Sequence, residues 1–341
     1  MLTIITDFPA SYFIRPFLDN NKINFIFIFN ESNIRSSDFY LNHNKQKYLN
    51  KKKYNYFIRL YNLFLNKHLF KGEVCLCGWD YFEYWIIIFI FRPKIIHMIL
   101  ESTIIESDMN FFKTWFKKVY LKNISKIIIP GQPHLSLLKK LKINTNKTII
   151  IGGVGHHLWY QEKSPLKKLK FPIINILYVG RLSIEKGVFK LIEIAKLNKN
   201  LIFNIVGTGP LENELKNICI FYNLKNVIFH GHINNVNLDY YYQNNDIFIM
   251  PSNSEVWCLA IEEALHFNLP VLISDNVGCK IDLVENNSIG LIFEHNNLLD
   301  FNNKLLLLLD QDNYQNIYNN ILISNYKNIN KYSNLLELLK N

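Results

Sequence analysis

Short runs of consecutive apolar residues recur along this chain, and most are followed by stretches whose apolar residues fall at helical spacing. In the first half the runs read as strands near residues 2–6, 23–29, 73–77, 94–100, 126–129 and 147–151. In the second half they fall at 173–179, 201–206, 227–233, 246–250, 270–274 and 290–293. Strand and helix alternating in this way predict a doubly wound α/β fold. A chain of 341 residues with 49% hydrophobic content suffices for two such domains. The boundary falls in the glycine-rich turn at 152–155, beyond which a polar, lysine-rich stretch runs to Lys170. The expected domains are therefore 1–155 and 156–341, with the last helix packing back on the first domain.

Several classes are excluded at once. The longest apolar runs, 85–91 and 305–309, fall short of the roughly 20 residues a membrane-spanning helix needs. The strand-like start has neither a basic region nor a small-residue cleavage site, so no signal peptide is expected. Five scattered cysteines, odd in number and in apolar surroundings, read as buried reduced thiols of a cytoplasmic protein. The turn after the first strand, residues 6–12, contains no glycine, which argues against a dinucleotide site there.

Charge divides the chain unevenly. Residues 1–155 hold 22 Lys+Arg against 10 Asp+Glu, and the remainder 16 against 18, so the whole net charge of +10 originates in the first half. An anionic partner for the first domain follows from that asymmetry. Between Lys45 and Lys71 eight basic residues interleave with seven aromatic ones without one acid, and residues 113–122 have the same character. One reading is a helix lying on an anionic membrane surface, with snorkelling lysines and rings at headgroup level. The other is a helix packed on the sheet whose lysines face water. No nucleic-acid recognition module is visible, so nucleic acid is not the expected partner.

Two loops of the first half end strands and so point at the crevice where open α/β sheets bind ligands. They are Cys77-Gly78-Trp79-Asp80 and His97-Met-Ile-Leu-Glu101-Ser-Thr103. His97 reads as an ordinary core histidine. In the second half, Gly180-Arg181 and Lys186-Gly187 lie between a strand and a helix. Two cations beside free N–H groups at a helix start suit a diphosphate without any metal. Gly207-Thr-Gly209-Pro210 and His230-Gly231-His232 end the next two strands. After the strand at 246–250 come Glu255 and, eight positions on, Glu263. At about 1.5 Å of rise per residue these carboxylates stand roughly 12 Å apart along a helix. A ligand with hydroxyl groups at two separated places meets both, and a nucleotide-sugar fits that description.

The stretch from Ser254-Glu255 through Trp257, Leu259, Glu263-Ala264, Leu269-Pro270-Val271 and Gly278 to Asp282-Leu283-Val284 resembles the E-x7-E region of family 4 glycosyltransferases, and Gly-Arg-x-x-x-x-Lys-Gly at 180–187 resembles the same family's diphosphate element. The resemblance is strong over residues 174–293 and weak over the first half. It implies a GT-B fold, two Rossmann-like doubly wound domains facing a central cleft, with acceptors on the first domain and a nucleotide-sugar on the second. It also implies that Glu255 contacts the donor sugar, Glu263 the ribose, and Arg181 and Lys186 the diphosphate. Gly180, Gly207, Gly209, His232, Trp257, Cys258 and Leu259 then line the nucleotide pocket. Glu101 stands where many relatives carry a histidine near the donor sugar. Two positions depart from the pattern: Cys258 and Asn268 replace glycines.

The function so implied is retaining, metal-independent transfer of a sugar from a nucleotide diphosphate, UDP or GDP type, to a glycan or lipid-linked glycan of the surface-polysaccharide kind. No cofactor beyond the donor is expected. The expected place is the cytoplasm, at the inner face of a membrane. The alternatives are a phosphorylase or epimerase on the same scaffold, and a non-catalytic module that binds membrane or glycan.

Overall fold

Most strands in both halves are largely apolar because both faces of each sheet are covered. In the computed structural model, which describes residues 1–7, 22–29, 46–50, 55–105, 107, 110–154, 171–324 and 335–340, every strand pairs in parallel. The chain divides into two units, Met1–Gly155 with Asn330–Asn341, and His156–Ile329.

The first unit contains strands β1 (Leu2–Thr6), β2 (Ile23–Phe29), β3 (Gln46–Asn50), β4 (Glu73–Cys77), β5 (Ile95–Ile99), β6 (Lys126–Ile129) and β7 (Thr148–Ile150) in the order β3-β2-β1-β4-β5-β6-β7. Sequence order reverses between β1 and β4, so their carboxyl ends open the crevice of this sheet. Buried Ile5, Ile26, Val74, Leu76, Met98 and Ile127 form its core with Tyr84, Tyr120 and Leu137 from the helices.

The basic, aromatic stretch from Lys45 to Lys71 is not one helix. Residues 46–50 are edge strand β3, 51–54 lie outside the described residues, and a helix runs only over Tyr56–Leu65. Its start is set by Asn55, whose side chain accepts from the Ile58 N–H. Arg59 in that helix grips the fully buried Glu83 through two bonds of 2.8 and 2.7 Å. The same guanidinium lies 4.3 Å from the centre of the Phe82 ring. A bidentate pair of this kind fixes the helix to the next segment more firmly than a point charge does. That segment is a short helix, Phe82–Ile86, passing into a π-helical turn at Ile87–Phe91. A third helix, Phe111–Lys122, starts at Asn110, whose side chain accepts from the Lys113 N–H. The terminal helix Leu335–Lys340 belongs to this unit, and Lys126 donates to its Leu338 and Leu339 carbonyls.

The second unit repeats the plan with β8 (Asn175–Val179), β9 (Ile202–Val206), β10 (Val227–Gly231), β11 (Ile247–Met250), β12 (Val271–Ser274) and β13 (Gly290–Phe293), ordered β10-β9-β8-β11-β12-β13. Every residue of β11 and β12 is buried. The reversal falls between β8 and β11. In the helix Leu298–Leu309 the leucine run is amphipathic, with Leu305 and Leu308 buried and Leu306 and Leu307 exposed. After Cys279 the chain forms a π-helical turn, Lys280–Glu285.

Candidate functional site

Three loops at the carboxyl edge of the second sheet are laced together by backbone. Gly180 N–H donates to Val206 O, Leu182 N–H to Thr208 O and Leu211 N–H to Leu182 O, at 3.0–3.1 Å. The loop after β8 therefore lies directly on the loop after β9. Gly207 adopts φ +135°, and a Cβ there would stand 1.9 Å from the Gly180 carbonyl oxygen, so only glycine permits the approach. The glycines expected to line a nucleotide pocket are accounted for first by this loop packing.

Arg181 leaves that loop into solvent, with Glu185 Oε1 3.9 Å away. A single 3-10 turn, Ile184–Lys186, follows, and Gly187 closes it at φ +64°, where a Cβ would collide with Pro251 O at 2.0 Å. The helix Val188–Leu197 begins immediately after. This tight turn is stitched to the loop after β11. The N–H groups of Asn253 and Ser254 donate to Glu185 O, and the Asn253 amide donates to Ile184 O. Lys190, one helical turn past Lys186, donates to Asn253 Oδ1 at 2.6 Å and to Pro251 O at 3.2 Å.

That stitching delivers Lys186 to Glu255. The ammonium donates to Glu255 Oε2, and both side chains are largely shielded, 23% and 13% exposed. Burial opposes the charge on Lys186, but the surroundings, Cys258 with the Glu255 and Glu185 carboxylates, outweigh it and hold its pKa above the ordinary value. The carboxylates carry that effect at neutral pH, because burial pushes the Cys258 thiol far up and keeps it neutral. Glu255 is fixed through its backbone as well, its N–H on Asn276 O and its carbonyl taking the Gly278 N–H. The Ser183 hydroxyl donates to Glu185 at 2.5 Å and holds that carboxyl below its ordinary range.

Beyond Glu255, Trp257 is buried and donates its indole N–H to the buried Glu262 at 2.7 Å. Cys258 then takes φ +87°, ψ +87°, and the helix Leu259–His266 follows with no side-chain cap. A cysteine here keeps the backbone conformation that glycine favours while filling the space beneath with a buried thiol. Asn268, at φ +59°, ends the helix in the left-handed conformation that asparagine tolerates. Glu263 is only 5% exposed and accepts from the Tyr242 hydroxyl at 2.5 Å. Tyr242 in turn stacks on Phe267, with ring centres 5.4 Å apart.

The structure thus brings Lys186, Glu255 and Cys258 into one patch with Arg181 at its exposed edge, and joins Glu263 to Tyr242. His232 is exposed just past β10, while its neighbour His230 holds Asn204 at 2.9 Å. Glu101 belongs to the first unit, exposed past the end of β5, with its carbonyl held by His134 Nε2 at 3.1 Å. His97 is a core histidine, buried and bonded to Glu73 at 3.0 Å. Lys190, Asn253 and Tyr242 escaped the sequence reading. Lys190 had a signal in its four-residue spacing from Lys186, whereas Tyr242 had none.

The chain's single Asp-x-Asp sequence, Asp310-Gln311-Asp312, falls at the junction of two helices and not in these loops. Asp310 caps the helix Gln311–Ile323 by accepting from the Asn313 N–H. Among the described residues no group of three His, Cys, Asp or Glu side chains is placed to hold a metal.

Two parallel sheets in this order, with a laced loop set at the carboxyl edge of the second, define the GT-B fold. The chain is similar over its full length to Anabaena HepE solved in complex with UDP, with TM-score 0.79, 14% identity and 100% of each chain covered. Residues 160–323 match the family model described as glycosyl transferases group 1. An uncharacterized glycosyltransferase of Haemophilus influenzae is 29% identical over 204 residues, 58% of this chain and 55% of the relative. The N,N'-diacetylbacillosaminyl-diphospho-undecaprenol alpha-1,3-N-acetylgalactosaminyltransferase of Campylobacter jejuni is 27% identical over 206 residues, covering 57% and 54%. The chain spans about half the length of the relatives it matches.

Proposed function

We propose that this protein is a retaining glycosyltransferase that moves a sugar from a nucleotide diphosphate to a glycan or lipid-linked glycan, without a metal ion, at the surface of a membrane. The observation that carries the reading is the shielded Lys186–Glu255 pair beside Arg181 on the laced loops. Without donor, the two charges neutralise each other. An arriving diphosphate takes the Lys186 ammonium and leaves the Glu255 carboxylate to accept from sugar hydroxyls.

In the transfer step the bond between the anomeric carbon and the diphosphate oxygen breaks while the acceptor oxygen bonds to the same face. The acceptor proton passes to the departing diphosphate. Arg181 and Lys186 stabilise the charge that develops on the leaving group, and Glu255 holds the sugar in register. Glu263, fixed by Tyr242, is assigned to the ribose. Glu101 is assigned to acceptor or sugar hydroxyls. The similarity to glycosyltransferases of Haemophilus influenzae and Campylobacter jejuni supports sugar transfer, and UDP in the HepE structure supports a nucleoside diphosphate donor.

The test is release of nucleoside diphosphate from a panel of UDP- and GDP-sugars, with membrane lipid extract as acceptor source and EDTA present. Turnover with one donor, unchanged by EDTA and lost in Arg181→Ala, is the expected result. Turnover that requires an added divalent ion contradicts the metal-independent mechanism.

A further inference from the structure

Strand β13 ends the second sheet. Among the described residues it pairs with β12 alone, in the register Val271↔Gly290 to Ser274↔Phe293. The Asp275 N–H donates to the Phe293 carbonyl, so the peptide groups of Phe293 turn toward β12. Bonding direction alternates from residue to residue along a strand. Leu291 therefore also faces β12, while Gly290 and Ile292 present N–H and C=O groups to the open side. Among the described residues no backbone bond takes up those outward groups. An unpaired row of this kind is a template for another strand.

Beside that edge lies a cavity of about 460 Å³, within the range of about 300–1,000 Å³ usual for ligand sites. Its other wall is the helix Gln311–Ile323. Asn313, Asn316 and Asn320 of that helix are spaced by three and four residues, so they share one face, and all three line the cavity. The Asn320 amide donates to the Ser288 carbonyl at 3.0 Å and ties the helix to the turn before β13. Asn313 and Asn316 stay exposed, with amide groups that both donate and accept. Leu291, Leu307 and Ile317 give the cavity its apolar surface.

Charge narrows the occupant. Glu285 lines the cavity and is exposed. Residues 281–324 as a whole hold six Asp+Glu against the single cation Lys304. A surface of that sign favours a basic partner and disfavours an acidic one.

We propose that this edge docks an extended, basic segment of a partner protein, which adds to the sheet beside β13 and lies between it and the helix Gln311–Ile323. The segment's backbone pairs with Gly290 and Ile292, and the amides of Asn313 and Asn316 take the peptide groups on its other side. Its apolar side chains settle on Leu291, Leu307 and Ile317, and its cations meet Glu285. None of these residues belongs to the loops that carry Arg181, Lys186 and Glu255, so the proposal does not rest on the transferase reading.

Fluorescence anisotropy of a labelled Lys-Val-Lys-Val-Lys-Val peptide titrated with the full chain tests it. The expected result is saturable binding, weakened by roughly tenfold or more for the N-methylated peptide, which cannot donate to a strand edge. A similar loss is expected in Asn313→Lys/Asn316→Lys, whose exposed positions leave the fold intact, and a Glu-Val-Glu-Val-Glu-Val peptide is expected not to bind. Amide hydrogen exchange in the same mixture is expected to slow at Ile292. No binding of the Lys-Val peptide, equal binding of the N-methylated or the Glu-Val peptide, or protection confined to other segments overturns the proposal. So does self-association of the full chain in sedimentation velocity that the double variant abolishes, which makes a second copy the occupant.

Discussion

The two units share one strand order over six strands, but they differ in how far backbone alone holds their crevice loops. In the second unit the loops touch through backbone: Gly207 lies on the Gly180 carbonyl, Gly187 on Pro251, and N–H groups of 253 and 254 on Glu185. In the first unit the corresponding turn has a backbone bond from Gly78 N–H to Ile99 O and is locked further by side chains, the Tyr120 hydroxyl on Gly78 and the Trp85 indole on Trp79. A loop set held by backbone can leave its side chains for charge, which here become Arg181, Lys186 and Glu255. One held by rings becomes an apolar cavity with a polar lining. The same sheet thus yields charged loops in one unit and a ring-lined cavity in the other.

The sharpest way to break this contrast is to add one methyl group to each kind of loop. Gly207→Ala forces carbon against a backbone oxygen at 1.9 Å and is expected to cost about 4 kcal/mol, lowering Tm by roughly 10 °C in calorimetry. Gly78→Ala in the first unit's crevice turn meets only Asp80 Oδ2, at 3.7 Å, so its cost is that of φ +96° alone, about 2 kcal/mol. Equal losses would contradict the backbone-packing argument.

Mild acid distinguishes the units next. Burial pushes His134 down to about 4, and it lowers His97 as well. Between the ordinary histidine pKa of 6.5 and about 4, the unfolded chain binds a proton that folded His134 does not. Stability therefore falls as pH drops through that window, by up to about 3 kcal/mol for His134 alone. His134→Gln is expected to flatten that limb of a denaturant series run at successive pH values, whereas an unchanged slope would remove His134 as its source.

Glu255→Ala sharpens the functional half. It strips Lys186 of its partner and the sugar of its acceptor, and kcat is expected to fall by roughly 100-fold with nucleoside diphosphate affinity changed by less than about threefold. A KM effect alone would make Glu255 a binding group only. The smallest expected effect is that of Tyr242→Phe, which leaves the buried Glu263 carboxylate short of one donor at a cost of about 1–2 kcal/mol in urea unfolding, with weaker nucleotide binding if the ribose assignment holds.

How much of this was legible in the sequence follows from the same contrast. Backbone-held features leave marks: the glycines at 180, 187, 207 and 209, the apolar runs of the buried strands β11 and β12, and Asn268, which takes the left-handed conformation its type allows. Features made by side chains meeting across the fold leave few. Strand β3 is short and lies at the sheet edge, in a lysine-rich stretch that looked helical. The bond from Tyr242 to Glu263 spans 21 residues, and the stitching of Lys190 to Asn253 spans 63. The cavity around Trp79 is assembled from three separate segments, so only its glycine–tryptophan turn was visible beforehand.

The central claim is that a nucleoside diphosphate sugar binds the Arg181–Lys186–Glu255 loops by charge and backbone, without a metal. Isothermal titration of UDP, GDP and their sugar conjugates into wild type and Lys186→Met, in EDTA, tests it most directly. The account predicts binding of one diphosphate in wild type, weakened by roughly tenfold or more in the variant. Equal affinity in both proteins, or no binding until a divalent ion is added, would contradict it.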